Sequence, residues 1–384
     1  MTVTDSATDA DAEARARYYA AGERRARELP NRGPIRYTDE GCVHPDIVEA
    51  YWEHGFYIFT GVVEAKELAD VRAEVDEVLD RAPYPTRSSP VDRHGRPALG
   101  VDMARNPWQM AAPLSDPVGG TSANHGRHPV KMYEPMPAGE APAEVPFLVG
   151  SGLELMDSFL RVYGHPDLLR VAEAINGEDF TPFTDVLFVK LPGLGPSVAW
   201  HQDGQLHWDS PDWDAGSHGF NLQVQLYGST PANGVWVVPG SHRLGKIDIA
   251  ALVEANGGSE RLPDAVPLVC DAGDCVITNR QILHASFANT SSELRVTVNF
   301  GFHRYSSVIG QTGVLSGRGN TYDADYIARR CRCIPVAIDA RAQRYPDEDP
   351  YLYKPLADAL DENRFDEETR RTVLKDYALF DLGI

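Results

Sequence analysis

Short apolar runs separated by Gly- and Pro-containing turns follow one another from Phe183 to about residue 302. Apolar and polar residues alternate within several of these runs, which is typical of β-strands whose two faces meet different surroundings. Strands this short and this closely spaced favour a jelly roll that closes into a barrel. The predicted strands cover residues 186–191, 198–201, 221–228, 235–238, 266–270, 274–278 and 294–302.

Helical patterns flank this segment on both sides, at residues 12–29, after His44, at 65–82, at 146–176 and in the tail from Tyr322 onward. We therefore predict an α+β protein with a double-stranded β-helix (jelly-roll, cupin-like) core and flanking helices. We expect residues 1–12 to be a disordered tail and residues 13–384 to form one domain. Within that domain the core covers about 183–305, a helical and lid region covers 13–182, and a helical extension covers 306–384.

The formal net charge of the 384 residues is −20. Nucleic acids and anionic membranes are disfavoured as partners, because both are polyanions. The sequence shows no apolar run of membrane-spanning length and no signal pattern at its start, so we expect a cytoplasmic location. The five cysteines show no disulfide framework, and Cys331 and Cys333 are interpreted as ordinary thiols rather than metal ligands. The charged tail predicts packing on the core or on a second subunit, so a monomer and a homo-oligomer both stay open.

Residues 200–209 hold the densest group of potential metal ligands and aromatic side chains. Val198 and Trp200 are typical strand residues, and a strand that continues into His201 and Asp203 projects residues i and i+2 from one face. A divalent cation bound there needs a third donor, and His284 supplies one after the alternating run at 275–278. Two imidazoles and one carboxylate leave the opposite side of the ion open, as in non-haem Fe(II) oxygenases.

His207 and Asp209 offer a second ligand set with His201, because their offsets along the chain are even. Gly204 and the polar stretch after Trp208 indicate that the strand ends before them. We therefore interpret His207 as a substrate contact or as a support of the metal site. His242 lies in a Pro-Gly-Ser-His turn and is expected to be a structural cap.

Arg295 follows His284 by eleven residues in another alternating run. The alternation places Arg295, Thr297 and Asn299 on one face, with apolar residues on the other face. A guanidinium inside an apolar barrel needs an anionic partner, and its planar fork suits a carboxylate held bidentately. Thr297 would add a hydroxyl beside that carboxylate.

His201-Gln-Asp203, the distal His284 and Arg295 together resemble the pattern of the phytanoyl-CoA dioxygenase family of Fe(II)/2-oxoglutarate-dependent oxygenases. Further matches are Lys-Leu-Pro-Gly at 190–193 and Asn-Gly-Val-Trp-Val-Val-Pro-Gly-Ser-His at 233–242. The resemblance covers roughly residues 45–305. It implies Fe(II) held by His201, Asp203 and His284, with 2-oxoglutarate and O2 as cosubstrates, release of succinate and CO2, and hydroxylation as the default outcome.

The resemblance also implies roles around the cosubstrate. Arg295 would bind the distal carboxylate of 2-oxoglutarate with help from Thr297, and Gln223 and Ser286 fall at positions that line the cosubstrate pocket. Gln223 points inward if Leu222 and Val224 point outward, and a surface-facing Gln223 is equally compatible with the sequence. Halogenating relatives carry Gly or Ala where this chain has Asp203, so halogenation is not expected.

The substrate is not readable from any motif. Residues 83–150 are rich in Pro, Gly, Ser and His and are expected to lie over the mouth of the barrel. The candidate substrate contacts are His207, Trp208, Trp213 and Lys131, although Lys131 also fits an ordinary surface lysine. We expect a specialised metabolite of modest size, because no Lys/Arg cluster suited to the phosphates of a CoA thioester stands out.

A cupin-like metal-dependent hydrolase or a small-molecule-binding protein could use the same three ligands. Arg295 discriminates against these alternatives, since a hydrolase needs no buried guanidinium for a dicarboxylate. A catalytically silent homologue is a third alternative, and the intact His-Asp-His set argues against it. The ligand set cannot separate hydroxylation from desaturation, epoxidation, ring formation or demethylation, because these outcomes share the same iron chemistry.

Overall fold

The computed structural model describes residues 3–313 and 321–377, which form two β-sheets surrounded by helices. The strands are β1 (Arg32–Gly33), β2 (Phe56–Phe59), β3 (Trp108–Ala111), β4 (Val145–Val149), β5 (Thr181–Lys190), β6 (Val198–His201), β7 (Phe220–Gln225), β8 (Trp236–Val237), β9 (Val266–Pro267), β10 (Cys275–Asn279), β11 (His284–Ser286) and β12 (Arg295–His303).

The helices lie before, between and after these strands. They are α1 (Val3–Glu28), α2 (Pro45–His54), α3 (Ala65–Asp80), α4 (Gly152–Leu155), α5 (Asp157–Tyr163), α6 (Pro166–Asn176), α7 (Ile249–Ala255), α8 (Tyr305–Val308), α9 (Ala324–Cys331), α10 (Cys333–Arg344) and α11 (Glu367–Thr369), with shorter 3-10 and π turns between them. Among the described residues, no helix combines the length and the apolar character needed to cross a membrane.

The larger sheet has eight strands in the order β1-β2-β10-β7-β12-β5-β4-β3, and the smaller sheet has four in the order β6-β11-β8-β9. The two sheets and their flanking helices confirm the predicted α+β jelly roll. In β12, Val296, Val298 and Phe300 join the main hydrophobic core on the helical side of the sheet. The ring of Phe300, for example, lies 4.7 Å from that of Tyr163 in α5. The alternate residues of β12 therefore face the other way, into the barrel.

The small sheet is where the two distant ligand segments meet. β11 pairs antiparallel with β6, and His284 lies directly opposite His201 in this register. Side chains directly opposite each other in an antiparallel pair project from the same face and lie about 5 Å apart. Residues separated by 83 positions in the sequence are thus brought together by backbone hydrogen bonding.

Two boundary predictions were wrong. Residues 146–149 belong to strand β4 and not to a helix, because Val145, Phe147 and Val149 are buried on one side while β4 pairs with β5 and with the edge strand β3. α1 begins at Val3, ahead of the predicted start at Ala12. The domain division itself stays a prediction.

α1 packs on the outside of the small sheet. The ring of Tyr18 stacks on that of Trp236 in β8, with centroids 4.6 Å apart. One turn further along, a Cβ added to Gly22 would lie 2.4 Å from the Trp236 ring. The absence of a side chain at Gly22 therefore lets the helix approach the sheet closely.

The carboxyl-terminal extension packs on the core of its own chain. Tyr326 of α9, Ile334 and Val336 of α10, and Leu374 and Tyr377 belong to the same hydrophobic cluster as the large sheet. This supports the first of the two packing alternatives. The last residues of the extension, 378–384, and the segment 314–320 lie outside the described residues.

Candidate metal centre

His201, Asp203 and His284 converge at the end of the small sheet. Each residue offers one ligand atom, and these three atoms lie within 4.8 Å of one another. The Nε2 atom of His201 lies 3.6 Å from Oδ1 of Asp203, and Nε2 of His284 lies 4.0 Å from Oδ2. The two imidazole rings are 4.0 Å apart. The predicted metal ligands are therefore brought together in the geometry that the sequence suggested.

The orientation of both imidazoles is set by the backbone. Nδ1 of His201 lies 2.8 Å from the carbonyl oxygen of Ala199, and Nδ1 of His284 lies 2.9 Å from that of Ile282. A carbonyl can only accept a hydrogen bond, so Nδ1 donates in each ring and Nε2 carries the lone pair. A metal-ligating histidine has this tautomer when its other ring nitrogen donates to a carbonyl.

The electrostatic surroundings favour neutral imidazoles and an ionised carboxylate. Burial, reinforced by the neighbouring His284, holds the pKa of His201 well below its ordinary value, and burial lowers the pKa of His284 as well. Burial alone would raise the pKa of Asp203, but Arg127 and the two histidines outweigh burial and lower it. These are the protonation states that a cation requires of its ligands.

The side chains that hold Asp203 in place were missed by sequence reasoning. Nη1 of Arg127 lies 3.1 Å from Oδ1 of Asp203, and Nδ2 of Asn221 donates to Oδ2 at 3.2 Å. The buried Arg280 approaches the same carboxylate from further away, with its Nε at 4.0 Å. The ring of His128 lies 4.2 Å from that of His201. Neither Arg127 nor His128 lies in a periodic segment, so no sequence pattern marked them.

The three ligand residues open into a cavity of about 370 Å³. Its walls come from the large sheet, the small sheet and the segment 83–150. The volume is at the lower end of the usual range for small-molecule sites. The cavity therefore has room for a small cosubstrate and a substrate of modest size.

Arg295 lies in the same cavity and is buried. Its Nε has no hydrogen-bond partner among the described residues. Burial lowers the pKa of Arg295 to about 10, a modest change for a guanidinium that stays protonated at neutral pH. A buried cation without a carboxylate beside it leaves a position that an external anion can fill.

Lys190 is a second cation next to Arg295. The two residues are directly opposite each other in the pairing of β5 with β12, and both line the cavity. Nζ of Lys190 donates to the carbonyl oxygen of Phe287. Burial and the neighbouring Arg295 lower the pKa of Lys190 well below its ordinary value. A dicarboxylate fits this part of the cavity, because it would compensate the positive charge there.

Of the other residues predicted to bind the cosubstrate, two line the cavity and one lies behind its wall. Gln223 and Ser286 line the cavity, so Gln223 faces inward; its amide donates to Oγ1 of Thr278 at 2.9 Å. Thr297 is buried and donates to Oε1 of Gln225 at 3.1 Å, and it is not part of the cavity wall. Thr297 is thus placed to support the pocket rather than to contact its contents.

The four predicted substrate contacts lie outside the cavity wall. Lys131 is exposed and forms an ion pair with Glu134 at 3.3 Å. Nε2 of His207 lies 2.8 Å from the carbonyl oxygen of Ser307, and Nε1 of Trp208 donates to that of Gly204 at 3.2 Å. Trp213 is also off the wall, in the same loop. Strand spacing carries no information about where such a loop folds, and substrate contact by these residues stays a prediction.

The alternative ligands do not assemble into a second site. Among residues 3–313 and 321–377, no other group of three metal-ligating side chains lies close together. His242 is buried with its Nε2 3.0 Å from the carbonyl oxygen of Trp52, which agrees with a structural role. Cys331 and Cys333 are buried free thiols, as expected.

The sequence model for phytanoyl-CoA dioxygenase (PhyH) matches residues 51–297, which is more than half of the chain. The chain is 31% identical over 113 residues to phytanoyl-CoA dioxygenase from Arabidopsis thaliana, and 31% identical over 109 residues to phytanoyl-CoA dioxygenase 1 from Oryza sativa subsp. japonica. These matches cover 28% and 27% of this chain and only 38% and 37% of the two relatives.

Similar solved structures include EctD from S. alaskensis with 2-oxoglutarate and 5-hydroxyectoine, and AviO1 from Streptomyces viridochromogenes Tue57. EctD is 16% identical with a TM-score of 0.48, and the match covers 71% of this chain and 80% of EctD. AviO1 is 19% identical with a TM-score of 0.46, and the match covers 68% of this chain and 95% of AviO1. Because the family model matches residues 51–297, the chain belongs to the phytanoyl-CoA dioxygenase family, whose members are Fe(II)/2-oxoglutarate-dependent oxygenases.

Proposed function

We propose that this protein uses Fe(II), 2-oxoglutarate and O2 to hydroxylate, or otherwise oxidise, a small molecule, with release of succinate and CO2. One observation carries the proposal. A complete His-Asp-His donor set and a buried guanidinium without an acidic partner line the same cavity. A hydrolase that used only the metal would have no need of that guanidinium, so its position supports a dicarboxylate cosubstrate.

The protein's own residues divide into three roles. His201, Asp203 and His284 would hold Fe(II), which supplies the activation of O2 when it is bound together with 2-oxoglutarate. Arg295 would bind the distal carboxylate of the cosubstrate, since a fork of donors matches a carboxylate bidentately. Asn221 and Arg127 hold the oxygens of Asp203 and so restrict the directions in which its lone pairs can point.

Asp203 also bears on the outcome of the reaction. Its carboxylate is present, ionised and held by two donors, so it is available as a metal ligand. A halide would need that position. We therefore propose oxidation without halogenation, with hydroxylation as the first expectation and a specialised metabolite as the substrate. The buried, unpaired thiols support the further proposal that the protein works in a reducing compartment such as the cytoplasm.

The test is an anaerobic titration of the purified protein with Fe(II) and then 2-oxoglutarate. We expect a weak visible charge-transfer band from the metal and the chelating cosubstrate, and formation of succinate once O2 is admitted. His201→Ala, Asp203→Ala and His284→Ala should each abolish the band and the succinate. His94→Ala, which removes a surface imidazole that contacts Asp80, is the matched control and should keep both.

Failure would take a definite form. If calorimetry shows that Fe(II) binds but 2-oxoglutarate does not, the oxygenase proposal is wrong for this chain. A metal-dependent hydrolase or binding protein with the same ligands would then explain the site. If one of the three alanine variants still forms succinate at the rate of the unaltered protein, the replaced residue is not a metal ligand.

A further inference from the structure

The cavity has a second end, away from the residues proposed to bind the cosubstrate. Arg295 and Lys190 lie directly opposite each other in the pairing of β12 with β5. Asp185, which also lines the cavity, precedes Lys190 on β5 by five residues (190 − 185), or roughly 16 Å in an extended strand. A five-carbon diacid bound at Arg295 is much shorter than this distance. The end of the cavity at Asp185 is therefore available to the substrate.

This second end lies next to the metal centre. The guanidinium carbon of Arg280 is 4.0 Å from the ring centre of Phe183, and Nε of Arg280 is 4.0 Å from Oδ2 of Asp203. Phe183 and its neighbours Thr184 and Asp185 all line the cavity. A ligand bound here can therefore bring a carbon to the metal without displacing the cosubstrate.

Ser151 brings a hydroxyl group to the same end. β4 pairs with β5 as far as Val149, which lies opposite Leu187. A little further along the chain, the carboxylate of Asp185 accepts a hydrogen bond from the backbone N–H of Leu153 at 3.1 Å. Ser151 lies between these two contacts; it is 4% exposed and lines the cavity. Strand pairing and the buried carboxylate together hold Ser151 beside Asp185.

The hydroxyl of Ser151 is not used to hold the fold together. Ser151 immediately precedes α4, where a serine commonly caps the helix by accepting from a backbone N–H. Here it makes no capping hydrogen bond, and Asp185 accepts from the N–H of Leu153 instead. Among residues 3–313 and 321–377, the Ser151 hydroxyl has no hydrogen-bond partner. A buried hydroxyl of this kind is available to a ligand in the cavity.

The backbone at this end of the cavity is strained. Ser151 has φ 62° and ψ 36°, the left-handed conformation that glycine adopts without steric cost. Thr184, the extra residue of a β-bulge in β5, has φ 53°, which is rarer still for a β-branched residue. Such conformations cluster at ligand sites. A glycine at position 151 would relieve the strain and would remove only the hydroxymethyl group.

The part of β5 between the two ends presents apolar side chains to the cavity. Leu148 of β4 lies directly opposite Phe188 of β5, and both line the cavity together with Val186. Side chains paired in this way lie about 5 Å apart on one face of the sheet. An apolar part of the substrate can therefore pack on this wall while a polar group of the same molecule reaches Ser151.

We propose that Ser151 hydrogen-bonds a hydroxyl or carbonyl group of the substrate, while the apolar part of the molecule lies along Leu148 and Phe188 and the reacting carbon faces the metal. The proposal rests on the proposed function, since it assigns the substrate class of the same site. A serine hydroxyl can donate to a carbonyl oxygen and can accept from a hydroxyl group, so it suits either substrate.

The test titrates three probes of similar size into the Fe(II)- and 2-oxoglutarate-saturated protein under anaerobic conditions. Benzyl alcohol carries a hydroxyl, acetophenone carries a carbonyl, and ethylbenzene carries neither. Calorimetry measures each dissociation constant for the unaltered protein, Ser151→Ala and Ser151→Gly. We expect both variants to weaken binding of at least one oxygen-bearing probe by about three- to tenfold and to leave that of ethylbenzene unchanged. The probe that is affected more identifies the group that the substrate carries.

Thermal unfolding of the same variants separates ligand binding from a structural role. Ser151→Gly should raise the melting temperature by about 1–3 °C through relief of strain, whereas Ser151→Ala keeps the strain and should change it little. Asp376→Gly is the matched control, because Asp376 has φ 58° and does not line the cavity. This control should also raise the melting temperature, but it should leave all three dissociation constants unchanged.

Three results would overturn the proposal: the same change, or no change, for all three probes in the Ser151 variants; no binding of either oxygen-bearing probe at millimolar concentration; or a fall in the melting temperature of Ser151→Gly. The charge-transfer band, measured in the same samples, separates this failure from a failure of the proposed function. If 2-oxoglutarate does not bind to the unaltered protein, the oxygenase proposal fails and this one fails with it. If 2-oxoglutarate binds and the probes do not respond to Ser151, only the substrate proposal fails.

Discussion

At the scale of single residues, Arg295 combines burial with a charge that no described acid compensates. A buried cation of this kind destabilises the folded protein unless an anion joins it. Replacing Arg295 by Gln removes the charge and keeps a polar side chain of similar length. We therefore expect Arg295→Gln to leave the melting temperature of the cosubstrate-free protein unchanged or to raise it.

The same substitution should weaken 2-oxoglutarate binding strongly. Loss of a charge-assisted bidentate contact corresponds to a rise in the dissociation constant of about 100-fold. Calorimetry of the anaerobic Fe(II) protein measures the constant, and a thermal scan without cosubstrate measures the melting temperature. An unchanged dissociation constant would show that another residue binds the distal carboxylate. A large fall in melting temperature would instead indicate that Arg295 is structural.

Arg127 supports a different prediction, because it contacts a ligand and not the cosubstrate. Its guanidinium lies 3.1 Å from Oδ1 of Asp203. Loss of such a supporting contact lowers metal affinity about 10- to 100-fold in other metalloproteins. We expect Arg127→Gln to weaken Fe(II) binding by this amount while the fold is retained. Anaerobic titration with a metal indicator measures the affinity.

Arg24→Gln, which removes one positive charge from the exposed face of α1, is the charge-matched control for that titration. Unchanged Fe(II) affinity in Arg127→Gln would mean that Asn221 alone is enough to orient the carboxylate. A combined Arg127→Gln/Asn221→Ala variant would then show whether the two contacts substitute for each other.

The sequence was sufficient to predict that the three candidate ligand residues come together, and insufficient to predict the side chains that contact them. Strand alternation predicts that His201 and Asp203 point the same way, and a short-strand barrel leaves few ways to bring His284 to them. Arg127 and His128 come from an aperiodic segment, so their approach to Asp203 and His201 depends on long-range packing. Lys131, four residues after Arg127, is exposed and does not contact the metal centre. No local sequence pattern distinguishes these two basic residues.

At the scale of secondary-structure elements, α1 is attached to the small sheet through Gly22 and Tyr18. In an exposed helix, Gly22→Ala would stabilise by about 1 kcal/mol through helix propensity. Here the new Cβ would lie 2.4 Å from the ring of Trp236, which is fully buried and cannot move away. Overpacking of this kind costs about 1–3 kcal/mol. We expect the packing cost to exceed the propensity gain, so Gly22→Ala should loosen α1.

Limited proteolysis within α1 and thermal unfolding are the measurements. The matched control is Ala20→Gly, which changes helix propensity at a neighbouring exposed position without touching the sheet. That control should destabilise slightly and leave the cleavage rate of the docked helix almost unchanged. If Gly22→Ala is more resistant to cleavage than the unaltered protein, α1 does not approach Trp236 as closely as described.

Strand prediction succeeded where both faces of a strand are determined by packing. The central strands β10 and β12 lie within one residue of their predicted bounds, and β7 begins one residue earlier and ends three residues earlier than predicted. β8 and β9 are only two residues long, although four and five were predicted, because pairing between them involves just Trp236 with Pro267 and Val237 with Val266. Strand β4, which lies between β5 and the edge strand β3, was mistaken for helix, since its apolar residues also fit a buried helical face.

At the scale of the whole molecule, stability depends on keeping several histidines neutral. His165, His218 and His242 are buried, and the effect of burial on their pKa values outweighs that of the neighbouring groups that favour the charged forms. Burial lowers the pKa of His165 to about 3, and it lowers those of His218 and His242 to about 4. In the unfolded chain each would titrate near its ordinary value of about 6.5.

Below pH 6.5 the unfolded chain therefore binds protons that the folded protein does not. By linkage, each such histidine lowers the free energy of unfolding by about 1.4 kcal/mol for each pH unit between about 6.5 and the folded-state pKa. From pH 6.5 to pH 5 the three together cost about 6 kcal/mol, which is comparable to the whole stability of many domains. We expect the protein to be stable at pH 7–8 and to unfold on mild acidification.

His165 allows this prediction to be tested one proton at a time. Its side chain caps the start of α6 by accepting from the backbone N–H of Asp167 at 3.3 Å. Asn is a strong N-cap residue that does not titrate, so His165→Asn keeps the cap and removes one group. Urea unfolding at several pH values should show a slope between pH 6.5 and 5 that is shallower by about 1.4 kcal/mol per pH unit. If the dependence of the free energy of unfolding on pH is the same in His165→Asn, then His165 either is protonated in the folded protein or is not buried deeply enough to lower its pKa.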